Sequence, residues 1–231
     1  MIPAPINVAR YHLLQRFNYL ALPWGMLAFV FGIDAVILAL TPAGHDPNRY
    51  VGGLGSIFVI LFVLGLQSVA RSLPLGLALG ASRRSYFLGT ALLAVSMAAV
   101  FGLVLGVLQV VERATGGWGM SMGFFRIPYI LQGPWYQTWL TSFVTFTLLF
   151  VYGMWFGLVF RRWSLVGLTA FIAGQIAVLL VGALTATWTH AWPSIGHFFT
   201  TLSALGLTGL LAALAAALLA GGFTTMRRVT V

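Results

Sequence analysis

Six apolar windows divide this chain, each close to the roughly 20 residues that a helix needs to cross a hydrocarbon core of about 30 Å, and little sequence is left between them. In a bilayer the backbone has only itself to hydrogen-bond with, so windows of this length are read as helices. Hydrophobic residues make up 60% of the 231 positions and charged residues only 6%, too few charges to wet the surface of a soluble fold. The expected class is an all-α membrane protein with a single transmembrane domain over 1–231.

The windows fall at 20–40, 51–70, 86–111, 135–160, 163–187 and 201–222. Pro23 lies in the first turn of helix 1, where a missing N–H does least harm. The first window is too long for a signal-peptide core and lacks a small-residue cleavage site, so it is read as a retained helix. Ahead of it, residues 5–20 read as a helix lying in the interface. Ile6, Ala9, Leu13, Leu14, Phe17 and Leu20 gather on one face, with His12, Gln15, Arg16, Asn18 and Tyr19 on the other. Arg10 falls near the apolar side and has to snorkel.

Ser72 to Gly89 is too broken by Pro74, Gly76 and Gly80, and too charged at Arg83 and Arg84, to span a bilayer. It joins two windows that do, and is expected to form a short helical hairpin at the membrane face with Leu73, Leu75, Leu77 and Leu79 free to dock a partner. The longest connection, 112–134, mixes glycines with Trp118, Phe124, Phe125 and Tyr129, which suits an interfacial belt. Between helices 5 and 6, Trp188 to Thr200 is too short to cross and too aromatic for a free loop, and reads as a re-entrant or interfacial segment.

A net charge of +9 raises the question of nucleic acid, but the placement of the charge answers differently. With six spans and an inner N-terminus, nine arginines (10, 16, 71, 83, 84, 161, 162, 227 and 228) face the cytoplasm and three (49, 113 and 126) face outward. That is the positive-inside pattern of a multi-pass plasma-membrane protein with both termini cytoplasmic and no nucleic-acid partner. The chain has no Cys and no Lys. Thiolate metal sites, disulfides, a P-loop and Schiff-base chemistry are therefore ruled out, and no catalytic or metal-binding set is expected. His190 and His197, with His45 next to Asp46, lack zinc-site spacing.

The layout resembles the ABC type-2 permeases, the transmembrane subunits of bacterial ABC exporters, and in particular small permeases common in actinobacteria. The resemblance rests on the amphipathic elbow, on Gly76 to Gly89 (GLALGASRRSYFLG), on Phe125-Arg126-Ile127-Pro128-Tyr129 before helix 4, and on Gly153-Met154-Trp155-Phe156-Gly157 followed by Arg161-Arg162-Trp163. It covers nearly the whole chain. It implies two six-helix subunits, identical or related, bound to two separate ABC ATPase subunits that carry the ATP and Mg, with no cofactor on this chain. It also implies that the helix 2–3 loop is a coupling helix, so that Leu75, Leu77, Leu79, Ser82, Arg83 and Arg84 would touch the motor, with Arg10 and Arg16 on the elbow nearby.

Asp34 is the one acidic residue inside an apolar window, and with Gln67 and Gln175 it forms the candidate translocation path. Each also has a plainer reading as a hydrogen bond between helices, as Gln109 does. Arg83 and Arg84 could equally be topology anchors. The rival function is a substrate-capturing subunit of an uptake system or a proton-coupled carrier using Asp34.

Overall fold

The computed structural model describes residues 17–41, 49–78 and 80–226. Seven α-helices carry them: α1 (Leu22–Leu40), α2 (Gly55–Ala70), α3 (Ser72–Ala78), α4 (Arg83–Ala114), α5 (Trp135–Trp188), α6 (Trp192–Thr201) and α7 (Ala204–Met226). Five helical stretches are long and apolar enough to cross a bilayer. The architecture is that of a helical membrane protein. The elbow expected over 5–20 lies outside the described residues except for its last turn, where Phe17–Ala21 is π-helical and runs straight into α1.

Helix boundaries follow local chemistry. Helix α2 begins at Gly55 and not at Val51, because the chain before it is committed elsewhere. Arg49–Tyr50 (β1) pairs in parallel with Met122–Gly123 (β2), and turns closed by Gly55 N–H to Gly52 O and Ser56 N–H to Gly53 O, both 3.1 Å, deliver the chain into the helix. Helix α4 starts at Arg83, where the extended Ser82 accepts from the Ser85 N–H as an N-cap. It runs on to Ala114, so Glu112 and Arg113 end a helix and do not begin a loop.

Helix α5 is continuous for 54 residues except at Ser164, whose φ of 54° and ψ of −154° break the helical path. The break folds the chain back on itself. The Tyr152 hydroxyl donates to Gln175 Oε1 at 2.7 Å, and the rings of Phe156 and Phe171 meet edge-on at 5.2 Å. In a straight helix Tyr152 and Gln175 would stand about 35 Å apart at 1.5 Å per residue. The two arms, 135–163 and 165–188, therefore lie antiparallel.

The first arm is the centre of the molecule and packs against α2, α4 and α7. Glycine brings it close to α2: a Cβ on Gly153 would sit 2.0 Å from the Phe62 carbonyl oxygen, and one on Gly65 would sit 2.0 Å from that of Phe150. Gly153 and Gly157 are four apart, the small-residue spacing that lets membrane helices touch backbone to backbone. On the α7 side, Thr141 and Thr208 share a buried hydrogen bond of 2.9 Å, and Trp155 Nε1 donates to Leu218 O at 2.9 Å. Phe101, Phe146, Phe150, Ile57 and Leu61 fill the interior. The second arm is different: Val178 and Leu179 are each 72% exposed.

Candidate functional site

Two ends of the bundle gather the polar chemistry, and they do so in opposite ways. Helix α3 sits between α2 and α4 at the first end. The end of α2 that leads into it packs on the first arm of α5, because a Cβ on Gly157 would lie 2.8 Å from Val69 Cβ and 3.3 Å from the Ala70 nitrogen. Gly80, at φ 86°, turns the chain back, with the Gly80 N–H bonded to Leu77 O at 3.0 Å and the Ala81 N–H to Gly76 O at 3.1 Å. The turn is anchored from below by Tyr86, whose ring packs on Gly76 and whose hydroxyl donates to Ser68 O.

Of the hairpin expected over 72–89, the structure has the short helix and the turn, while Arg83–Gly89 is the start of the long α4, and the leucines are not equivalent. Leu73 is buried at 1% exposure, which corrects the expectation that it is free to dock; Leu75 points outward at 50%. Leu77 packs against the core. A helix of two turns has an inner and an outer face, so a Leu every second residue cannot present all of them on one side. Leu79 lies outside the described residues. Ser82 is used as the helix cap, with its hydroxyl 2.9 Å from that of Ser85.

Arg71, Arg83, Arg84, Arg161 and Arg162 cluster at this end. Among the described residues none of the five makes a side-chain hydrogen bond or ion pair. The Arg84 guanidinium carbon lies 5.8 Å from the centre of the Phe223 ring, and that of Arg162 lies 4.7 Å from Trp163. Arg10 and Arg16 lie outside the described residues.

At the opposite end every described arginine is bonded. Arg49 donates to Leu38 O at 3.5 Å, Arg113 to Gly133 O at 2.7 Å and also to Gln132 O, and Arg126 pairs with Glu112 at 2.9 Å. Glu112 is fully buried. Its Oε2 accepts the backbone N–H groups of Phe124 and Phe125 at 2.9 and 2.8 Å and the indole N–H of Trp118 at 3.3 Å. One carboxylate thus holds the whole 115–126 connection against the end of α4, which offsets its desolvation with charge-assisted bonds. Tyr129 then ties the loop to the α6–α7 joint by donating to Phe199 O at 3.2 Å and to Leu202 O.

Glu112 was missed by sequence reasoning, which placed it at the start of a loop. The only signal was its rarity, as one of three acidic residues.

The three candidate path residues are not brought together. Asp34 is half-buried at the same end as Glu112. A Cβ on Gly53 would lie 2.2 Å from its Oδ2 and 2.7 Å from the Phe124 ring, and that oxygen is buried with no hydrogen-bond partner among the described residues. Gln67 lies near the other end of α2, beside Arg71. Gln175 is engaged by Tyr152 inside the α5 hairpin, where an apolar groove of about 650 Å³ runs between the arms. Gln109 serves the plainer role, donating to Leu131 O.

Ser82 and the two histidines of 190–197 lie at opposite ends of the fold, so they form no Ser–His pair. Among the described residues no group of three His, Asp or Glu side chains could hold a metal ion. Comparison of the chain with protein-family models, with curated proteins and with solved structures returns no match.

Proposed function

We propose that this chain is the membrane subunit of an ATP-driven exporter, crossing the bilayer six times and forming half of a dimeric translocation path with a second permease of the same kind. The six crossings are α1, α2, α4, the two arms of α5, and α7. One observation carries the reading: a short amphipathic helix, α3, projects Leu75 outward at the end where five arginines have no acidic partner among the described residues. Such a face is complementary to an acidic, apolar-pocketed surface, which is what a soluble motor has to offer a membrane subunit if it is to push on it. The chain itself does no chemistry. Hydrolysis belongs to the partner ATPase with its ATP and Mg, and this subunit converts differential contacts in two motor states into a shift between two packings.

The test is purification of the full chain from its own membranes by gentle extraction, beside an Arg83→Glu/Arg84→Glu variant. Copurification of an ATPase with the wild type and its loss in the variant would support coupling through α3. A wild-type chain that comes out alone and without ATP turnover would end the motor reading.

A second reading is favoured by Asp34, whose buried Oδ2 has no hydrogen-bond partner among the described residues, because ionisable groups inside membrane segments are functional by default. A proton-coupled carrier would work without a motor and fail in Asp34→Asn. An exporter would keep its ATPase in that variant.

A further inference from the structure

A cleft of about 250 Å³ opens between the π-helical turn before α1, the end of α2 and the start of α3, lined by Asn18, Tyr19, Gln67, Arg71, Ser72 and Leu75 among others. It is unusual for this molecule in being polar. Five hydrogen-bonding side chains line it; Tyr19 is already engaged, and those of Asn18, Gln67, Arg71 and Ser72 make no side-chain hydrogen bond or ion pair among the described residues. It lies at the end of the bundle that carries the unpaired arginines. Two leucines, Leu64 and Leu75, also line the cleft, and Leu75 is 50% exposed.

We infer that this cleft binds the headgroup of an anionic phospholipid, with the phosphodiester on the Arg71 guanidinium. A guanidinium presents two parallel N–H donors in the spacing of two phosphate oxygens. The amides of Asn18 and Gln67 and the hydroxyl of Ser72 supply neutral donors to the remaining oxygens and the glycerol. No carboxylate among the described residues lies at this end, so an anion entering the cleft displaces no internal ion pair. The exposed Leu75 at the cleft selects a lipid over free phosphate, because acyl chains leaving the headgroup run onto it and not into water. A zwitterionic headgroup brings its own cation beside Arg71 and loses much of the attraction. The inference rests on the membrane architecture and the cleft alone, and stands whether or not a motor binds α3.

The experiment is native mass spectrometry of the full chain in detergent with dioleoyl-phosphatidylglycerol and dioleoyl-phosphatidylcholine at equal concentration. The expected result is one tightly held phosphatidylglycerol, preferred over phosphatidylcholine by about tenfold, the difference one charge-assisted hydrogen bond makes. Arg71→Ala removes that preference, Gln67→Leu reduces it, and Arg162→Ala at the hairpin tip leaves it intact. Arg71 is on the surface, so its variant is checked for folding by an unchanged thermal midpoint. Equal retention of the two lipids by the wild type would overturn the assignment, as would a preference that survives Arg71→Ala or that falls equally in Arg162→Ala. Millimolar inorganic phosphate is the second arm: if it displaces the bound lipid, the site is one for free phosphate and the lipid assignment fails.

Discussion

Tyr152 and Gln175, 23 positions apart in one helical run, are joined by a 2.7 Å hydrogen bond. The bond exists only because the run doubles back at Ser164, and it places one polar pair between two apolar arms. The chain has no Cys, so the hairpin can be tested on a clean background. Phe156→Cys and Phe171→Cys introduced together should cross-link through a short bifunctional thiol reagent. Phe156→Cys with Ile176→Cys should do so less well. A straight helix would put 156 and 171 about 22 Å apart and give no product with either pair.

Ser164 occupies a backbone region, φ 54° and ψ −154°, that glycine enters freely and other residues enter at a cost of about 1–3 kcal/mol. Ser164→Gly should therefore raise the thermal midpoint in detergent, even though glycine usually weakens helices. Ser164→Val should lower it. A Ser164→Gly variant less stable than the wild type would show that the serine is held without strain.

The Glu112 node predicts an order of effects. Glu112→Ala leaves two buried backbone N–H donors, the half-buried Trp118 indole and Arg126 without this acceptor and should cost about 3 kcal/mol, the lower end for breaking a buried ion pair. Glu112→Gln keeps one carbonyl acceptor and should cost less. Arg126→Ala should cost least, because the carboxylate keeps its backbone donors and Arg126 is itself 23% exposed. Chemical or thermal unfolding and the rate of proteolysis within 115–134 would both report that order.

Close packing of α2 on α5 predicts that Gly153→Ala is strongly destabilising, since its Cβ would meet the Phe62 carbonyl oxygen at 2.0 Å and backbone cannot swing aside. Gly32→Ala on α1, with nothing within 4 Å of the added carbon, should be neutral or stabilising by up to about 1 kcal/mol. Comparing the two in thermal melts separates packing from helix propensity. Equal effects would mean that the α2–α5 contact is looser than described.

The parts of this fold that were legible in the sequence are those set by local rules. Apolar length located the long helices and paired arginines marked one end, though the window expected from 86 begins at Arg83 behind the Ser82 cap. What was not legible depends on partners distant in sequence. Nothing around Glu112 announces the backbone donors of Phe124 and Phe125, and nothing around Arg49–Tyr50 announces a pairing with Met122–Gly123. Alternation alone put Leu73 beside Leu75, yet tertiary packing buried one and exposed the other. Asp34 read as the one acid inside an apolar window, with a path role and a plain hydrogen bond both open. In three dimensions it adjoins Gly53 and Phe124, at the joint between α1 and the connection that Glu112 holds.

The hairpin tip of α5 carries Arg161 and Arg162 with no carboxylate beside them among the described residues, whereas at the far end Arg126 is neutralised by Glu112. A transmembrane voltage acts on the net charge at each end. Moving one elementary charge through the full potential is worth about 2.3 kcal/mol per 100 mV, so the two guanidinium groups together make the tip's side of the membrane worth about 5 kcal/mol at that voltage. On the proposed six-span topology, with the tip inside, such a voltage would draw both arginines to the negative side and oppose their return across the membrane.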